Sequence, residues 1–251
     1  MSAYTKPVAL EVCVESVASA LAAERGGAAR VELCSDLLEG GLTPSAGQIE
    51  VVRRNLSVGL HVMIRPRGGD FLYSPEELEI MQRDIEVAKS LGADGVVFGI
   101  LEPGGNVDRK STRRLVDLAR PLSVTFHRAF DMSADLLRAL EDIVSCGADR
   151  VLTSGGQATA ALGQKVIADL IRVAKGRVIV VPAGGIAGTE LRHLVEGTGA
   201  CEIHVRLGNM VPSAMRYRNE RVCIGSAAGG EYQRLVVLED SVRNLLAACN
   251  G

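Results

Sequence analysis

Short apolar runs alternate with amphipathic segments along most of the chain, and this alternation predicts strands separated by helices. Eight runs have the composition of buried strands. They are VALEVC (8–13), RVELC (30–34), LHVMI (60–64), GVVFG (95–99), SVTFH (123–127), RVLT (150–153), VIVVP (178–182) and EIHV (202–205). Most of the seven intervals between these runs carry a helical pattern, which favours parallel strands joined by crossover helices.

The clearest helix is SPEELEIMQRDIEVAKSLG, residues 74–92. Ser74 is suited to the N-cap, Pro75 to the first helical position, and Glu77 completes a capping box. Gly92 provides a left-handed stop. The apolar stripe consists of Leu78, Met81, Ile85 and Ala88.

A repeated phrase precedes every second strand. Its four copies are GGAAR (26–30), LGADG (91–95), CGADR (146–150) and TGACE (198–202). In each copy a glycine ends a helix and a small residue turns into the next strand, so the repeat predicts four quarter-barrels. We therefore expect an α/β fold, an eight-stranded parallel βα (TIM) barrel, as one domain over residues 1–251. A short C-terminal extension, from about residue 231 to 251, should add an extended piece and a closing helix.

Composition and charge narrow the functional classes. The 251 residues are 47% hydrophobic and only 3% aromatic, with a net charge of −2, so we expect neither nucleic acid nor a membrane as partner. We expect no signal peptide at the N-terminus and no membrane span. Six cysteines without a secretory signal are expected to be thiols, which indicates a cytoplasmic protein.

Two predicted strands end on the same Glu-x-Cys pattern, which supplies Glu11 and Cys13 on the first strand and Glu32 and Cys34 on the second. Side chains alternate along a strand, so each glutamate shares a face with its cysteine. Ligands bind at the C-terminal ends of barrel strands, and neighbouring strands lie about 4.8 Å apart. The two thiols should therefore approach each other in the barrel mouth.

Such a thiol pair has three interpretations from the residues alone. Cu(I) prefers soft sulfur ligands and fits a bare pair. Zinc needs further ligands, which His61, His127 or Glu32 could supply. Buried cysteines also occur simply as small hydrophobic residues.

Other predicted strand ends are polar. The candidates are Arg65, Arg67 and Asp70 after the third strand, His127, Arg128 and Asp131 after the fifth, and His204 and Arg206 on the eighth. These groups form either a buried ion-pair network, with Arg65 opposite Glu32, or an anion-binding pocket. In the pocket His127 would act as acid or base, with Asp131 or a glutamate setting its tautomer.

Glycine-rich turns at residues 153–156 and 182–186 would add backbone N–H donors to such a pocket. The predicted strand ends carry no lysine, which argues against a Schiff-base aldolase. The sequence contains no nucleophile elbow and no dinucleotide fingerprint. The residues alone therefore assign no reaction.

Several motifs together resemble the CutC family, named for copper homeostasis, and the likeness to its animal members is greatest. They are EVCVES, RVELCSDLLEGGLTPS, IRPRGGDF, VTFHRAFD, RVLTSG, VPAGGI and MRYRN, spread over about residues 8–240. The resemblance implies a βα barrel, a homo-oligomer (dimer or tetramer), and a cytoplasmic location that in animals is also nuclear. It also implies copper binding, with Cu(I) as the ion.

The resemblance makes Cys13 and Cys34 the copper ligands. It assigns Arg65, Arg67, Asp70, His127, Arg128 and Asp131 to a pocket without assigning a reaction. Two departures lie beside this pocket: Val205-Arg206-Leu207 replaces small residues common in the family, and Ala183 replaces a frequent glycine.

Three functions follow as hypotheses. The first is a protein that buffers or traffics Cu(I) through Cys13 and Cys34, with Glu11 and Glu32 mainly balancing Arg65 and its neighbours. The second is an enzyme of unassigned reaction on a small anionic metabolite, a carboxylate or phosphate, with His127 and Asp131 as catalytic candidates. The third is an oligomeric scaffold whose mouth is only an ion-pair network.

Overall fold

The computed structural model describes residues 8–186, 188–219, 221–224 and 230–250. Eight strands of the described residues form one parallel sheet in the order β7-β6-β5-β4-β3-β2-β1-β8. These strands are β1 (Ala9–Val14), β2 (Arg30–Leu33), β3 (Gly59–Met63), β4 (Gly95–Phe98), β5 (Ser123–Phe126), β6 (Arg150–Thr153), β7 (Ile179–Pro182) and β8 (Glu202–Arg206). The two outermost strands, β7 and β8, also contact each other, so the sheet is a nearly closed barrel. The predicted βα barrel is confirmed.

Helices alternate with these strands. They are α1 (Val17–Arg25), α2 (Ala46–Asn55), α3 (Pro75–Ser90), α4 (Arg109–Ala119), α5 (Leu136–Cys146), α6 (Gln164–Ala174), α7 (Gly188–Thr198) and α8 (Glu239–Asn250). Three short 3-10 helices cover Leu37–Glu39, Arg128–Met132 and Gly230–Tyr232. The capping box of α3 is present, with Ser74 and Glu77 bonding each other's backbone N–H groups.

The repeated phrase ends helices as predicted. Gly27, Gly92, Gly147 and Gly199 all have positive φ, a conformation that glycine adopts without steric cost. The last residue of each phrase begins an even-numbered strand: Arg30, Gly95, Arg150 and Glu202. Three of these residues, Arg30, Arg150 and Glu202, belong to the deepest polar layer of the barrel, described below.

The apolar core is divided by the strands. The largest buried cluster contains Val12 and Val31 together with residues of the surrounding helices, so it lies between sheet and helices. Because side chains alternate along a strand, Cys13 and Glu32 face the opposite way, into the barrel. A small separate cluster of Cys13, Cys34, Leu37, Met63 and Val97 fills part of that interior.

The C-terminal part contains the predicted extended piece and helix. β10 (Gln233–Val236) pairs antiparallel with β9 (Asn209–Pro212), a partner that the sequence did not predict. Helix α8 contacts α1 and α7 on the outside of the barrel.

Two expectations concern membranes and disulfides. Among the described residues, no helix is long and apolar enough to cross a membrane, and no disulfide joins the cysteines. Residues 1–7, where we expect no signal peptide, lie outside the described part of the chain.

Candidate metal and ligand site at the barrel mouth

The two strand-end cysteines lie side by side inside the barrel. Cys13 Sγ is 3.6 Å from Cys34 Sγ, and the residues are only 4% and 0% exposed. The pairing of β1 with β2 places Cys13 opposite Glu32. The Cys34 thiol also lies within 3.5 Å of Glu32 Oε2. The structure thus brings together both thiols and Glu32, whereas the strand pattern predicts both glutamates at the mouth.

His204 completes this group. Ligand atoms of Cys13, Glu32 and His204 all lie within 4.8 Å of one another, which makes these residues a group able to hold a metal ion. β8 pairs with β1 and sets Glu11 beside His204. The sequence placed His204 at a strand end but did not connect it to the cysteines. Closure of the predicted barrel makes the last strand a neighbour of the first, and this could have predicted the connection.

The pKa values of the two thiols are shifted in opposite directions. The hydrogen bond with Cys34 lowers the pKa of Cys13 to about 5, against the effect of burial and with support from His204. The pKa of Cys34 is raised well above its usual value by the same hydrogen bond and by burial. These shifts favour the thiolate form at Cys13 and the protonated thiol at Cys34.

The two ionisable neighbours of Cys13, His204 and Glu32, also have shifted pKa values. Burial lowers the pKa of His204, but the acidic groups around it, with Glu32 first, raise it well above its usual value. Burial and the nearby Cys13 raise the pKa of Glu32. The surroundings of His204 thus favour its charged form beside the Cys13 thiol.

A buried ion-pair network is present, but it lies one layer deeper than predicted. Arg30 pairs with Glu11 and also with Glu202, whose Oε2 is 2.6 Å from Arg30 Nη2. Arg150 Nε approaches the same Glu202 oxygen at 2.7 Å. Burial raises the pKa of Glu11, yet its hydrogen bond with His204 and the charge of Arg30 hold that pKa well below its usual range. The charged ends of the repeated phrase therefore form this network.

The predicted pairing of Arg65 with Glu32 is wrong. The Arg65 guanidinium donates instead to the carbonyls of Glu39 (2.6 Å), Gly41 (3.1 Å) and Gly69 (2.9 Å). Two loops that cover the mouth are thereby joined, because Arg65 bonds both of them. Glu11 does balance an arginine, but that arginine is Arg30 and not Arg65 as predicted. Glu32 faces the thiols.

His127 is buried and neutral. Burial, and then the charge of Arg65, lower its pKa to about 3. The Ala129 N–H donates to His127 Nδ1 at 3.2 Å, so the neutral ring carries its proton on Nε2. The backbone therefore sets the tautomer, and the expectation that Asp131 or a glutamate sets it is wrong.

Asp131 anchors a loop. Its carboxylate accepts from Arg128 Nε at 2.8 Å, from Thr153 Oγ1 at 2.6 Å and from the backbone of Ser154 and Gly156. Arg128 Nη2 also donates to Ser154 Oγ at 2.8 Å. The Nη1 atom of Arg128 faces Gly184, where a Cβ would lie only 2.7 Å away. These contacts fix the Arg128 head at the barrel mouth.

Arg67 and Asp70 lie outside the mouth. Arg67 Nε lies 2.6 Å from Glu77 Oε1, and Arg67 Nη2 lies 2.9 Å from Asp70 Oδ1. The guanidinium carbon of Arg67 is 5.2 Å from the centre of the Tyr73 ring. Neither Arg67 nor Asp70 is among the residues that line the mouth cavities. Both hold the loop after β3 against α3.

His61 also lies apart from the thiols. Its Nδ1 is 3.5 Å from Glu11 Oε2, in the deep polar layer, and burial lowers its pKa to about 4. Gly95 makes room for this ring, because a Cβ there would be 2.5 Å from His61 Cδ2. Of the additional zinc ligands considered from sequence, Glu32 is thus the one that the structure brings to the cysteines.

The 3-10 helix Leu37–Glu39 covers the thiols. The Leu37 N–H bonds Glu15 Oε1 at 2.7 Å, and the Leu37 carbonyl accepts from Arg206 Nη1 at 2.8 Å. Gly41 follows with φ +98°, and a Cβ there would lie 3.1 Å from Cys34 Sγ. The loop therefore packs directly on the thiol pair.

Two adjoining cavities open beside this cluster. One of about 250 Å³ is lined by Glu32, Glu39, Gly40, Met63, Arg65, Phe71, His127, Arg128, Leu152 and His204. The other, about 310 Å³, is lined by Cys13, Glu32, Leu37, Gly40, Arg128, Gly184, Gly185, Ile186, His204, Val205 and Arg206. A small molecule or ion entering the mouth would therefore meet the thiol pair and the arginines together.

Comparison with known proteins identifies the family of the chain. The CutC family model matches residues 8–209. This chain belongs to the CutC family. The mouse "Copper homeostasis protein cutC homolog" is 51% identical over 239 residues, covering 95% of this chain and 88% of the mouse protein. The human homolog of the same name is 49% identical with the same coverage. A crystal structure of CutC from Streptococcus agalactiae matches with a TM-score of 0.75 and 31% identity, covering 78% of this chain and 97% of that one.

The two positions at which the sequence is expected to depart from the family have structural roles here. Arg206 bonds the loop over the thiols, as described above. Ala183 is fully buried and packs with Leu152 and Val181 inside the barrel. Neither side chain separates Cys13 from Cys34.

Proposed function

We propose that this CutC chain binds Cu(I) through Cys13 and Cys34 and acts in copper homeostasis as a buffer or intracellular carrier of the ion. The observation that carries the proposal is the 3.6 Å separation of two buried thiols on neighbouring strands. Thiolate sulfur is the ligand that Cu(I) prefers. The printed names of the mouse and human relatives, which refer to copper homeostasis, support it.

The geometry favours more than a two-coordinate site. A typical metal–thiolate bond is about 2.3 Å. An ion bonded to two sulfurs 3.6 Å apart therefore lies off the line between them and has an open side. His204 and Glu32 lie within reach of Cys13 and offer the further donors. Neutral imidazole suits both copper and zinc, so metal identity has to be tested directly.

An anaerobic competition titration tests this proposal. Wild type should take one Cu(I) per chain, whereas Cys13→Ala and Cys34→Ala should each lose most of the affinity. Cys201→Ala is the matched control, because Cys201 is exposed and lies just before β8. Unchanged Cu(I) affinity and stoichiometry in both variants would refute the assignment of Cys13 and Cys34 as ligands. Tighter binding of Zn²⁺ than of Cu(I) would refute the assignment of copper as the ion.

We also propose that the chain is a homo-oligomer located in the cytoplasm, and also in the nucleus if its cell is an animal cell. Resemblance to the family's animal members supports both statements. Light scattering of the purified chain gives the subunit number, and fluorescence imaging of a tagged chain gives the location. A monomer in solution, or a secreted chain, would contradict them.

A further inference from the structure

Two buried N–H donors on side chains that line the 250 Å³ cavity make no hydrogen bond of ordinary geometry to the described residues, although the Tyr73 hydroxyl interacts with the Arg65 side chain. They are Arg65 Nε and His127 Nε2, on side chains that are only 6% and 5% exposed. Nearly all buried polar groups in proteins are paired, so two orphaned donors lining one cavity indicate a ligand that brings acceptors. The copper proposal uses neither atom.

Contacts hold the two side chains in place in the cavity wall. Phe71 lies between them: its ring is 4.9 Å from the His127 ring and 5.1 Å from the Arg65 guanidinium. The Ala129 N–H donates to His127 Nδ1, which leaves Nε2–H as the unpaired donor of that ring. Gly99 provides the space for this arrangement, because a Cβ there would lie 2.6 Å from His127 Nδ1.

The remaining walls limit the size and the chemistry of an occupant. Arg128, fixed by Asp131 and Ser154, adds a second guanidinium to the same cavity. Met63 and Leu152 supply apolar surface. On another wall Glu32 Oε1 is buried without a hydrogen-bond partner and can meet a hydroxyl group. A cavity of about 250 Å³ is below the usual range for drug-sized ligands, so the ligand has few carbon atoms.

We propose that the cavity binds a small hydroxylated organic anion, whose carboxylate or phosphate accepts hydrogen bonds from Arg65, His127 and Arg128 and whose hydroxyl meets Glu32. The anion sits beside the thiol pair, since Glu32 and Arg128 line both mouth cavities. This binding function goes beyond the proposed copper function: it rests on Arg65, His127 and Arg128, which the copper proposal does not use, and shares only Glu32 with it. Charge-assisted hydrogen bonds from two arginines supply its anion selectivity.

The test uses the full chain, reduced and without added metal, in two arms. Glycerate, with acetate as its hydroxyl-free comparison, represents carboxylates; glycerol 3-phosphate, with inorganic phosphate, represents phosphates. Binding is followed by the ¹⁵N resonance of His127 Nε2 and by calorimetry. We expect saturable binding in one arm, tighter for the hydroxylated member, with a shift at Nε2. Failure of all four probes to bind saturably would overturn the proposal.

Variants locate the binding. His127→Phe preserves ring packing against Phe71 but removes the donor, and should weaken binding about tenfold or more. Arg67→Lys is the control, because Arg67 leaves the same strand end but lines neither cavity. If His127→Phe unfolds, Arg65→Lys, which keeps the charge and removes Nε, replaces it. Equal affinity in the wild type and the donor variant would overturn the site, whereas Cu(I) stoichiometry of the variant should stay at the wild-type value.

Discussion

Cys13 and Cys34 hold their sulfur atoms 3.6 Å apart although 21 residues separate them in the chain. The neighbouring strands β1 and β2 make this contact possible, and the loop from Leu37 to Gly41 covers it. The position of the thiols thus depends on backbone that is itself held by Glu15, Arg65 and Arg206. Changes to this covering loop should therefore affect the metal site.

Gly41→Ala should lower Cu(I) affinity as well as stability. The new Cβ would lie 3.1 Å from Cys34 Sγ, in a backbone conformation with φ +98°. Gly176→Ala is a matched control, since Gly176 also has positive φ (+74°) but nothing within 4 Å of an added Cβ. Both variants should lose about 1 kcal/mol of unfolding free energy. Only Gly41→Ala should weaken copper binding; equal copper affinities would show that the loop does not position Cys34.

Copper binding should release protons and become tighter as pH rises from about 6 to about 8. Cys34 must lose a proton to bind, and its pKa is raised by its hydrogen bond with Cys13. His204 must also lose one, because the acidic groups around it outweigh burial and raise its pKa. His204→Ala should reduce both the affinity and its dependence on pH. Identical pH profiles for wild type and variant would remove His204 from the site.

The deep ion-pair layer should matter for stability and not for metal. Arg30→Met leaves Glu11 and Glu202 without a buried cation and should cost about 3–5 kcal/mol of unfolding free energy. Arg172→Met, which removes an exposed pair with Asp169, should cost about 1 kcal/mol or less. Chemical denaturation measures both. A cost for Arg30→Met as small as that for Arg172→Met would contradict the assignment of this layer.

His127 should make the protein less stable in acid. Its pKa is about 3 in the folded chain, where burial is the main cause, and 6.5 is the ordinary value expected after unfolding. Between those values the unfolded state binds the extra proton, so stability is complete above about pH 6.5 and falls as pH drops toward about 3. The slope is about 1.4 kcal/mol per pH unit for one proton.

Denaturation of wild type and His127→Phe at several pH values checks this. The variant should lose less stability over the same range, because one titrating group is absent. Parallel curves for the two proteins would mean that His127 is not held neutral by the fold.

The sequence predicted the barrel because strand runs, helix caps and the Gly-Ala phrase repeat at regular intervals. It also predicted the approach of Cys13 to Cys34, because side chains alternate along a strand and the two cysteines end neighbouring strands. It did not predict the partner of each charged group: Arg65 bonds carbonyls, while Arg30 pairs with Glu11. Such partners depend on barrel stagger and loop conformation, which cannot be predicted from local sequence patterns. The role of His204 depends likewise on closure between β8 and β1.

X-ray absorption spectroscopy of the anaerobically loaded chain tests the copper site most directly. The account predicts one Cu(I) per chain with two sulfur neighbours from Cys13 and Cys34, and with further nitrogen or oxygen scattering that His204→Ala reduces. The Cys13→Ala/Cys34→Ala double variant should lose this spectrum, while Cys201→Ala keeps it. A wild-type spectrum without sulfur neighbours, or one unchanged in the double variant, would contradict the account.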